Sequence, residues 1–187
     1  MIKSSFIGME KRILQPEQII VIGDGLIGSK HILEIYFRIF DRGNCNCLPP
    51  TIVVHKTTRV PLLREDHDGY NDGLKSYLKR HKNAEYFLLD GHHRSIAATL
   101  CHRPTSALEL KCDEDIGKVK ELVDEGELFD WPQEEKSLDG LFNWLGTYLS
   151  HHGYGTAKEF KTVLDRVNEL TSNGDLPQYM KDRYKNV

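Results

Sequence analysis

The sequence predicts a mixed α/β (α+β) fold in which strands and helices alternate, followed by a helical C-terminal region. Short apolar runs, typical of buried strands, occur within the first 112 residues, and two of them lead through a turn into apolar residues at helical spacing. After residue 112 the apolar spacing is helical throughout. We therefore expect an α/β core over residues 1–112, with a polar insertion at about 56–85, and a helical region over residues 113–187.

The composition restricts the classes of function. The chain has 187 residues and a net charge of −3, which gives no basic surface for nonspecific binding of nucleic acid. No apolar run approaches the roughly 18 residues of a membrane span, and residues 1–6 lack the apolar core of a signal peptide. We expect a cytoplasmic protein without a membrane partner, for which nucleic acid is a less favoured but still open partner, and the sequence does not indicate its oligomeric state.

The four cysteines do not form a disulfide framework in a chain of this size. Cys45-Asn46-Cys47 resembles half of a zinc site, but no second pair of cysteines at ligand spacing follows it. Reduced thiols are therefore the better interpretation, and we expect no metal held by protein ligands alone.

The first predicted strand covers residues 18–22 and leads into the pattern Gly23-x-Gly25-x-x-Gly28. Glycines at this spacing between a strand and a helix are typical of dinucleotide-binding sites. Those sites also have an acidic residue at the end of the next strand, where this chain has His55-Lys56. A turn that only shapes the start of the helix is an equally good interpretation, and both remain open. The predicted apolar face of that helix, which ends at Gly43, consists of Ile32, Ile35, Tyr36, Ile39 and Phe40.

Further elements follow in order along the chain. Pro49-Pro50 precedes a β-branched strand over residues 51–54, and Ala107 to Leu110 form another short strand. Inside the polar insertion, Leu74, Tyr77 and Leu78 have the spacing of a short amphipathic helix.

The most informative stretch is residues 86–101, where the apolar period changes. Four apolar residues suggest a strand, and after the polar cluster Asp90 to Ser95 the apolar residues recur at helical spacing. The cluster therefore lies on a turn from strand to helix. The first amides of a helix have no partner within it, and the helix dipole places about half a positive charge there, so this turn favours a bound phosphate.

Individual residues of this turn have predicted roles. Gly91 permits an unusual backbone conformation, and Arg94 offers a fork of two parallel donors to phosphate oxygens. His92 and His93 are expected to titrate near neutral pH. In the alternative, purely structural interpretation, Asp90 caps the helix, the histidines bond to backbone carbonyls and Arg94 forms a surface ion pair.

The order of these features resembles the ParB/sulfiredoxin superfamily. There, a helix, a Pro-Ile-Val-Val-like strand and an Asp-Gly-His-His-Arg turn follow one another, as Pro49-Pro50-Thr51-Ile52-Val53-Val54 and Asp90-Gly91-His92-His93-Arg94 do here. The resemblance covers about residues 15–112 and implies a small mixed sheet with flanking helices. It also implies that a nucleotide or a similar phosphate binds at the turn.

Within that superfamily the motif is closest to the small-molecule kinases that phosphorylate free serine. Sulfiredoxins have a cysteine where this chain has His92, and the partitioning proteins have a Gly-Glu-Arg-Arg box and a helix-turn-helix after it. In the kinases, an acidic residue in the loop after the first strand helps to activate the acceptor hydroxyl. Asp24 is the acidic residue nearest that position, although its loop is otherwise glycine-rich and unlike theirs.

The predicted function is therefore a nucleotide-dependent phosphotransferase that acts on a small polar metabolite, with ATP, ADP or another nucleotide and with Mg²⁺. Candidate catalytic residues are Asp90, His92, His93 and Asp24. Candidate nucleotide- and phosphate-binding residues are Gly91, His93, Arg94, Ser95 and Lys30.

Two other classes remain as alternatives. The first is a DNA-associated ParB-like protein, either a nuclease or a nucleotide-dependent switch, which would need a basic face on the C-terminal helices. Lys158, Lys161 and Arg166 are interspersed there with acidic residues. The second is a noncatalytic nucleotide-binding module.

Overall fold

The computed structural model describes residues 8–22, 29–63, 69–129, 134–151 and 160–186. The Gly23 to Gly28 pattern, including Asp24, lies outside the described residues. The strands are β1 (Glu10–Leu14), β2 (Ile19–Val21), β3 (Thr51–His55), β4 (Tyr86–Asp90), β5 (Thr105–Leu110) and β6 (Lys161–Thr162). The helices are α1 (Lys30–Asp41), α2 (Tyr70–Arg80), α3 (His92–Leu100), α4 (Asp113–Asp124), α5 (Leu138–His151), α6 (Val163–Ser172) and α7 (Gln178–Lys185).

The six strands form one mixed sheet in the order β1-β5-β3-β4-β2-β6. β2 is parallel to β4, and β3 is parallel to β5, while the remaining neighbours are antiparallel. Val21 lies opposite Leu88, two residues before the end of β4, so the chain leaves β2 and β4 at the same edge of the sheet. Residue 51 begins β3 at this edge, because Ile52 lies opposite Asp90.

Helices cover both faces of this sheet. Alternate residues of the central strands belong to two separate hydrophobic clusters, as expected when a strand is buried on both sides. Phe87 belongs to the cluster with α2, α4 and α5, whereas its neighbour Leu88 belongs to the cluster with α1, α3, α6 and α7. The mixed α/β class predicted from the sequence is confirmed.

The C-terminal region contributes to the sheet as well as to the helical layers. The sequence predicts helices alone after residue 112, and this expectation is wrong at β6, which pairs antiparallel with β2. Thr162 then caps α6: its hydroxyl accepts from the amide of Asp165, and the Asp165 carboxylate accepts from the amide of Thr162. A strand of two residues is too short to produce a recognisable alternating pattern, which explains why the sequence does not reveal it.

The predicted helix α1 forms, but it presents a different face to the core. Its buried residues are Leu33, Phe37 and Phe40, whereas Ile32 and Ile35 are 41% and 45% exposed. The predicted face is confirmed at Phe40 and wrong at Ile32 and Ile35, because apolar residues occur on more than one side of this helix. The contact of α1 with α3, and not the apolar pattern by itself, selects the buried side.

In the described part of the chain, no helix is both long enough and apolar enough to cross a bilayer.

Candidate functional site

The predicted turn between β4 and α3 lies where the sequence places it, and Gly91 is its central residue. Gly91 has φ 96°, in the left-handed region that favours glycine, and no side chain caps the helix that follows. A Cβ atom at this position would lie 2.5 Å from Cγ2 of Thr51 and 3.0 Å from Nη2 of Arg94. The sharp turn therefore depends on a residue without a side chain, for both conformational and steric reasons.

Arg94 is folded back from α3 onto the end of β4. Its Nη2 atom lies 2.7 Å from Oδ2 of Asp90, and it also donates to the carbonyl oxygen of Pro50 at 3.3 Å. The guanidinium carbon lies 5.1 Å from the ring centroid of Phe129, which suits a cation–π contact. The Arg94 side chain is 6% exposed and that of Asp90 34% exposed, so this is a partly buried ion pair and not the surface pair of the structural interpretation.

The predicted phosphate fork of Arg94 is occupied in this structure. A guanidinium offers two pairs of parallel donors, Nη1 with Nη2 and Nε with Nη2, so both pairs include Nη2. In Arg94 this atom already donates to Asp90 and to the carbonyl oxygen of Pro50. The Nε atom is buried and has no hydrogen-bond partner among the described residues. A phosphate that binds Arg94 with two parallel hydrogen bonds would therefore have to displace Asp90 or Pro50.

Several other polar atoms of this turn are buried without a partner among the described residues. They are Nε2 of His92, Nε2 of His93 and Oγ of Ser95, and Ser95 has no exposed surface. In native proteins most buried polar atoms form hydrogen bonds, so a cluster of buried polar atoms without partners requires a physical explanation. Asp90 does not cap α3, and these histidine nitrogens do not reach backbone carbonyls of the described residues, contrary to the structural interpretation.

The backbone of the same turn also offers donors. The amide of Ser95 donates to the carbonyl oxygen of Gly91, whereas the amides of His92, His93 and Arg94 have no described acceptor. The first turn of α3 contains no acidic residue that would neutralise the positive end of its dipole. Three amides and the helix dipole are therefore available to an anion.

Burial changes the titration of both histidines. Desolvation lowers the pKa of His92 to about 4, and the nearby Asp90 carboxylate offsets only part of this effect. Desolvation also lowers the pKa of His93, and the positive charge of Arg94 acts in the same direction. The prediction that both histidines titrate near neutral pH is therefore wrong for His92, which is neutral at pH 7.

Lys30, predicted to contact phosphate, is an exposed residue at the start of α1. α1 and α3 follow adjacent parallel strands and pack against each other. The residues that join β2 to α1 lie outside the described part of the chain, and with them Asp24. The described structure therefore brings together Asp90, Gly91 and Arg94 directly.

A cavity of about 460 Å³ lies beside Arg94. Its described wall contains the cations Lys11, Arg94 and Arg103 and no carboxylate. A second, open cavity of about 760 Å³ adjoins it and includes Phe129 and Glu127. The first cavity is lined by Lys11, Ile13, Phe40, Cys45, Asn46, Leu48, Pro49, Thr51, Arg94, Arg103, Pro104, Thr105 and Ser106.

Most of these wall residues were missed in the sequence analysis. Lys11 lies on β1, whose sequence Glu-Lys-Arg-Ile-Leu has too many charges to indicate a strand. Arg103 lies in the turn before β5, and Phe129 follows α4 at a distance of 35 residues from Arg94 in the chain. No local pattern relates these positions, since only the sheet order and the chain path around it bring them near Arg94.

Within the described ranges, no group of three or more His, Cys, Asp or Glu side chains could hold a metal ion. Cys45 and Cys47 are free thiols in a short 3₁₀ turn before β3.

Comparison of the chain with protein-family models, with curated proteins and with solved structures found no match.

Proposed function

We propose that this protein is a nucleotide-binding enzyme of the ParB/sulfiredoxin superfamily that transfers a phosphoryl group to or from a small polar metabolite. One observation is the main support for the proposed phosphate site: the uncapped start of α3 lies beside the buried guanidinium of Arg94. Free amides, the helix dipole and a fixed cation converge there, and each favours a phosphate group. The choice of phosphoryl transfer comes from the resemblance of Asp90-Gly91-His92-His93-Arg94 to the kinase motif.

The Arg94–Asp90 ion pair suggests how binding and catalysis are connected. A nucleotide phosphate takes the place of Asp90 at Nη2 of Arg94, because a doubly charged phosphate competes effectively with a single carboxylate. The released Asp90 carboxylate then faces the bound phosphate and the acceptor. Phosphate binding thereby both neutralises Arg94 and frees the group that orients the acceptor.

In the proposed reaction, a phosphoryl group passes from ATP to a hydroxyl group of the acceptor. The oxygen of the acceptor hydroxyl forms a bond to the terminal phosphorus of ATP, and the bond from that phosphorus to the leaving oxygen of ADP breaks. The hydroxyl proton passes to Asp90 or to Asp24. Arg94 and the first amides of α3 stabilise the charge on the transferred group, which is the main requirement of phosphoryl transfer.

The two histidines contribute as neutral hydrogen-bonding groups. His93 hydrogen-bonds the moving phosphate, and His92, whose pKa is about 4, orients the loop and does not act as a general acid at neutral pH. Mg²⁺ is the expected metal, since it usually retains water and needs only one or two protein carboxylates besides the phosphates. Asp90 is the described carboxylate that fits this role.

Thermal-shift titration with ATP, ADP, CTP and NAD tests the phosphate site. We expect a nucleoside phosphate to stabilise the wild type and Arg94→Lys to weaken its binding at least tenfold, because lysine lacks the planar fork. In the absence of Mg²⁺, Asp90→Asn should bind the nucleotide more tightly than the wild type, since it removes the carboxylate that competes for Arg94. The same variant should transfer phosphate from ATP to serine or other small hydroxyl compounds at least about 100-fold more slowly.

Glu169→Gln is the matched control for Asp90→Asn. Glu169 pairs with Arg166 at 2.6 Å and has 30% side-chain exposure, close to that of Asp90, but it lies on α6. The proposed site is disproved if no nucleotide stabilises the wild type or if Asp90→Asn and Glu169→Gln respond alike. Stabilisation by NAD alone would favour the Gly23 to Gly28 pattern as the binding site, and binding without transfer would favour the noncatalytic module.

A further inference from the structure

The cavity of about 460 Å³ beside Arg94 has the features of a second binding site. It lies between β1, the loop of residues 42–50 and the start of β5, and its volume of about 460 Å³ is within the range of small-molecule pockets. Of the predicted site residues that the structure describes, Arg94 is the one in its wall. The cavity therefore adjoins the start of α3, since its wall also includes Thr51, which lies against Gly91.

Two polar side chains in the cavity wall are almost completely buried and incompletely paired. Thr105 is 3% exposed, and its Oγ1 has no hydrogen-bond partner among the described residues. Arg94 is 5% exposed, and its Nε is also without a described partner. A buried hydroxyl or N–H without a partner costs free energy, and a ligand with acceptor atoms in this cavity would remove that cost.

The remaining wall combines positive charge with apolar surface. Arg103 forms no ion pair with a described residue, and together with Lys11 and Arg94 it makes the cavity positive. Ile13 is 62% exposed on edge strand β1 and borders the cavity, opposite Ser106 in β5. An apolar side chain of this size between cations suits a ligand that is apolar at one end and anionic at the other. The other apolar wall residues are Phe40, Leu48, Pro49 and Pro104.

We propose that this cavity binds a small organic anion, with a carboxylate or phosphate head that contacts Arg94, Arg103 and Thr105 and a short apolar body that contacts Ile13. To accept hydrogen bonds from Nε of Arg94 and Oγ1 of Thr105, which have almost no exposed surface in the free protein, the head requires these side chains to turn toward the cavity. If the proposed phosphoryl transfer is correct and the anion also carries a hydroxyl group near its head, the anion is the acceptor, because Arg94 lines the cavity and also lies at the proposed phosphate site. That assignment rests on the proposed function, whereas binding of the anion does not.

Cys45 provides a direct measurement of occupancy. It lines the cavity, whereas Cys101 is buried and Cys47 and Cys112 are exposed elsewhere in the chain. In a Cys47→Ser, Cys112→Ser variant, alkylation of Cys45 therefore reports access to the cavity. The probes are hexanoate, hexyl phosphate, acetate, inorganic phosphate and hexanamide, all tested without nucleotide.

We expect hexanoate or hexyl phosphate to slow alkylation of Cys45 in a saturable way, and at lower concentration than acetate or inorganic phosphate. Hexanamide should protect at least about tenfold less well, because it lacks the charge that Arg103 and Arg94 recognise. Comparison of hexanoate with hexyl phosphate identifies the preferred head group. Equal protection by hexanamide, or none by either alkyl anion, would overturn the proposal.

Two substitutions in the wall locate the ligand. Arg103→Gln should weaken protection by the alkyl anion about tenfold, whereas Arg80→Gln, at an exposed arginine on α2, should leave it unchanged. Thr105→Val should also weaken it, and should not destabilise the free protein, since the hydroxyl it removes is unpaired. Protection that is the same in Arg103→Gln and Arg80→Gln would place the anion elsewhere and reject the proposed site.

These experiments separate the two proposals. Protection of Cys45 in a protein that no nucleotide stabilises would support the anion site and reject the phosphotransferase. Nucleotide binding that is lost in Arg94→Lys, without protection of Cys45 by any probe, would support the phosphate site and reject the anion site.

Discussion

The starts of α1 and α3 follow adjacent parallel strands of one sheet, yet their first turns differ in chemistry. At α1, Ser29 caps the helix by accepting a hydrogen bond from the amide of Ile32 at 3.4 Å, and the next residue is exposed. At α3, Gly91 provides no cap, and polar atoms of the next four residues are buried without described partners. The side chain of Ser29 therefore satisfies one amide at the start of α1, whereas no side chain satisfies an amide at the start of α3.

The difference also appears in the burial of the two helices. α3 is buried over Arg94 to Leu100, between the sheet and the helices α1, α6 and α7. The start of α1 is exposed at Lys30 and His31. A polar group held in a buried environment interacts more strongly with a bound charge than the same group in water. The comparison therefore favours the start of α3, and not that of α1, for the proposed phosphate site.

The largest predicted effect of a single substitution is that of Gly91→Ala. A methyl group there adopts an unfavourable φ and lies within 3.0 Å of Thr51, so we expect destabilisation by about 3 kcal/mol or more. Gly174→Ala is the matched control, with φ 76° and no atom within 4 Å of the added Cβ, and should cost only about 1–2 kcal/mol. Urea unfolding measures both, and equal losses would show that the close approach of Thr51 is unimportant.

A pH-dependent loss of stability is predicted for His92. Because burial lowers its folded pKa to about 4, below the ordinary value of 6.5, the unfolded chain binds more protons between these pH values. The contribution of His92 to the free energy of unfolding is full above pH 6.5 and is lost as the pH falls toward 4. At about 1.4 kcal/mol per pKa unit, the loss reaches roughly 3 kcal/mol.

Urea unfolding across this pH range tests the assignment to α3. His92→Gln should lose less stability between pH 6.5 and 4 than the wild type does. His31→Gln, at the exposed first turn of α1, should retain the acid loss of the wild type. An unchanged acid loss in His92→Gln would contradict the buried, neutral state of His92.

The smallest effects concern one serine at each helix start. Ser29→Ala should destabilise by about 1 kcal/mol, because it removes the cap of α1. Ser95→Ala should cost less in the free protein, since its buried Oγ has no described partner, but should weaken nucleotide binding if that hydroxyl contacts phosphate. Unfolding with and without nucleotide checks both, and a larger loss for Ser95→Ala without nucleotide would show an internal partner for its hydroxyl.

Several features of the candidate site follow from local sequence. The change of apolar period places the turn correctly, because a strand buried on both faces and a buried helix have different spacing. The requirement for glycine at residue 91 also follows from the short turn. Burial of Ile96, Ala97, Leu100 and Cys101 is confirmed, since these residues form the apolar side of α3.

Other features depend on contacts between distant residues. The exposure of Ile32 and Ile35, the strand β1 and the two-residue strand β6 were not predicted, since each is determined by what lies beside it in the fold. Phe129 over Arg94 is a contact of the same kind. The spacing of apolar residues in the sequence indicates which residues share a face of one helix or strand, but not which other element packs against that face.

The sequence by itself determined the α/β class, the position of the β4–α3 turn and the polar residue types present there, because these depend on local spacing and residue type. Tertiary structure decided the electrostatic state of those residues. It paired Arg94 with Asp90, lowered the pKa of His92 by burial and placed Lys11 and Arg103 in the wall of the cavity that Arg94 also lines. Desolvation and charge pairing depend on distance in space, which the order of residues along the chain does not specify.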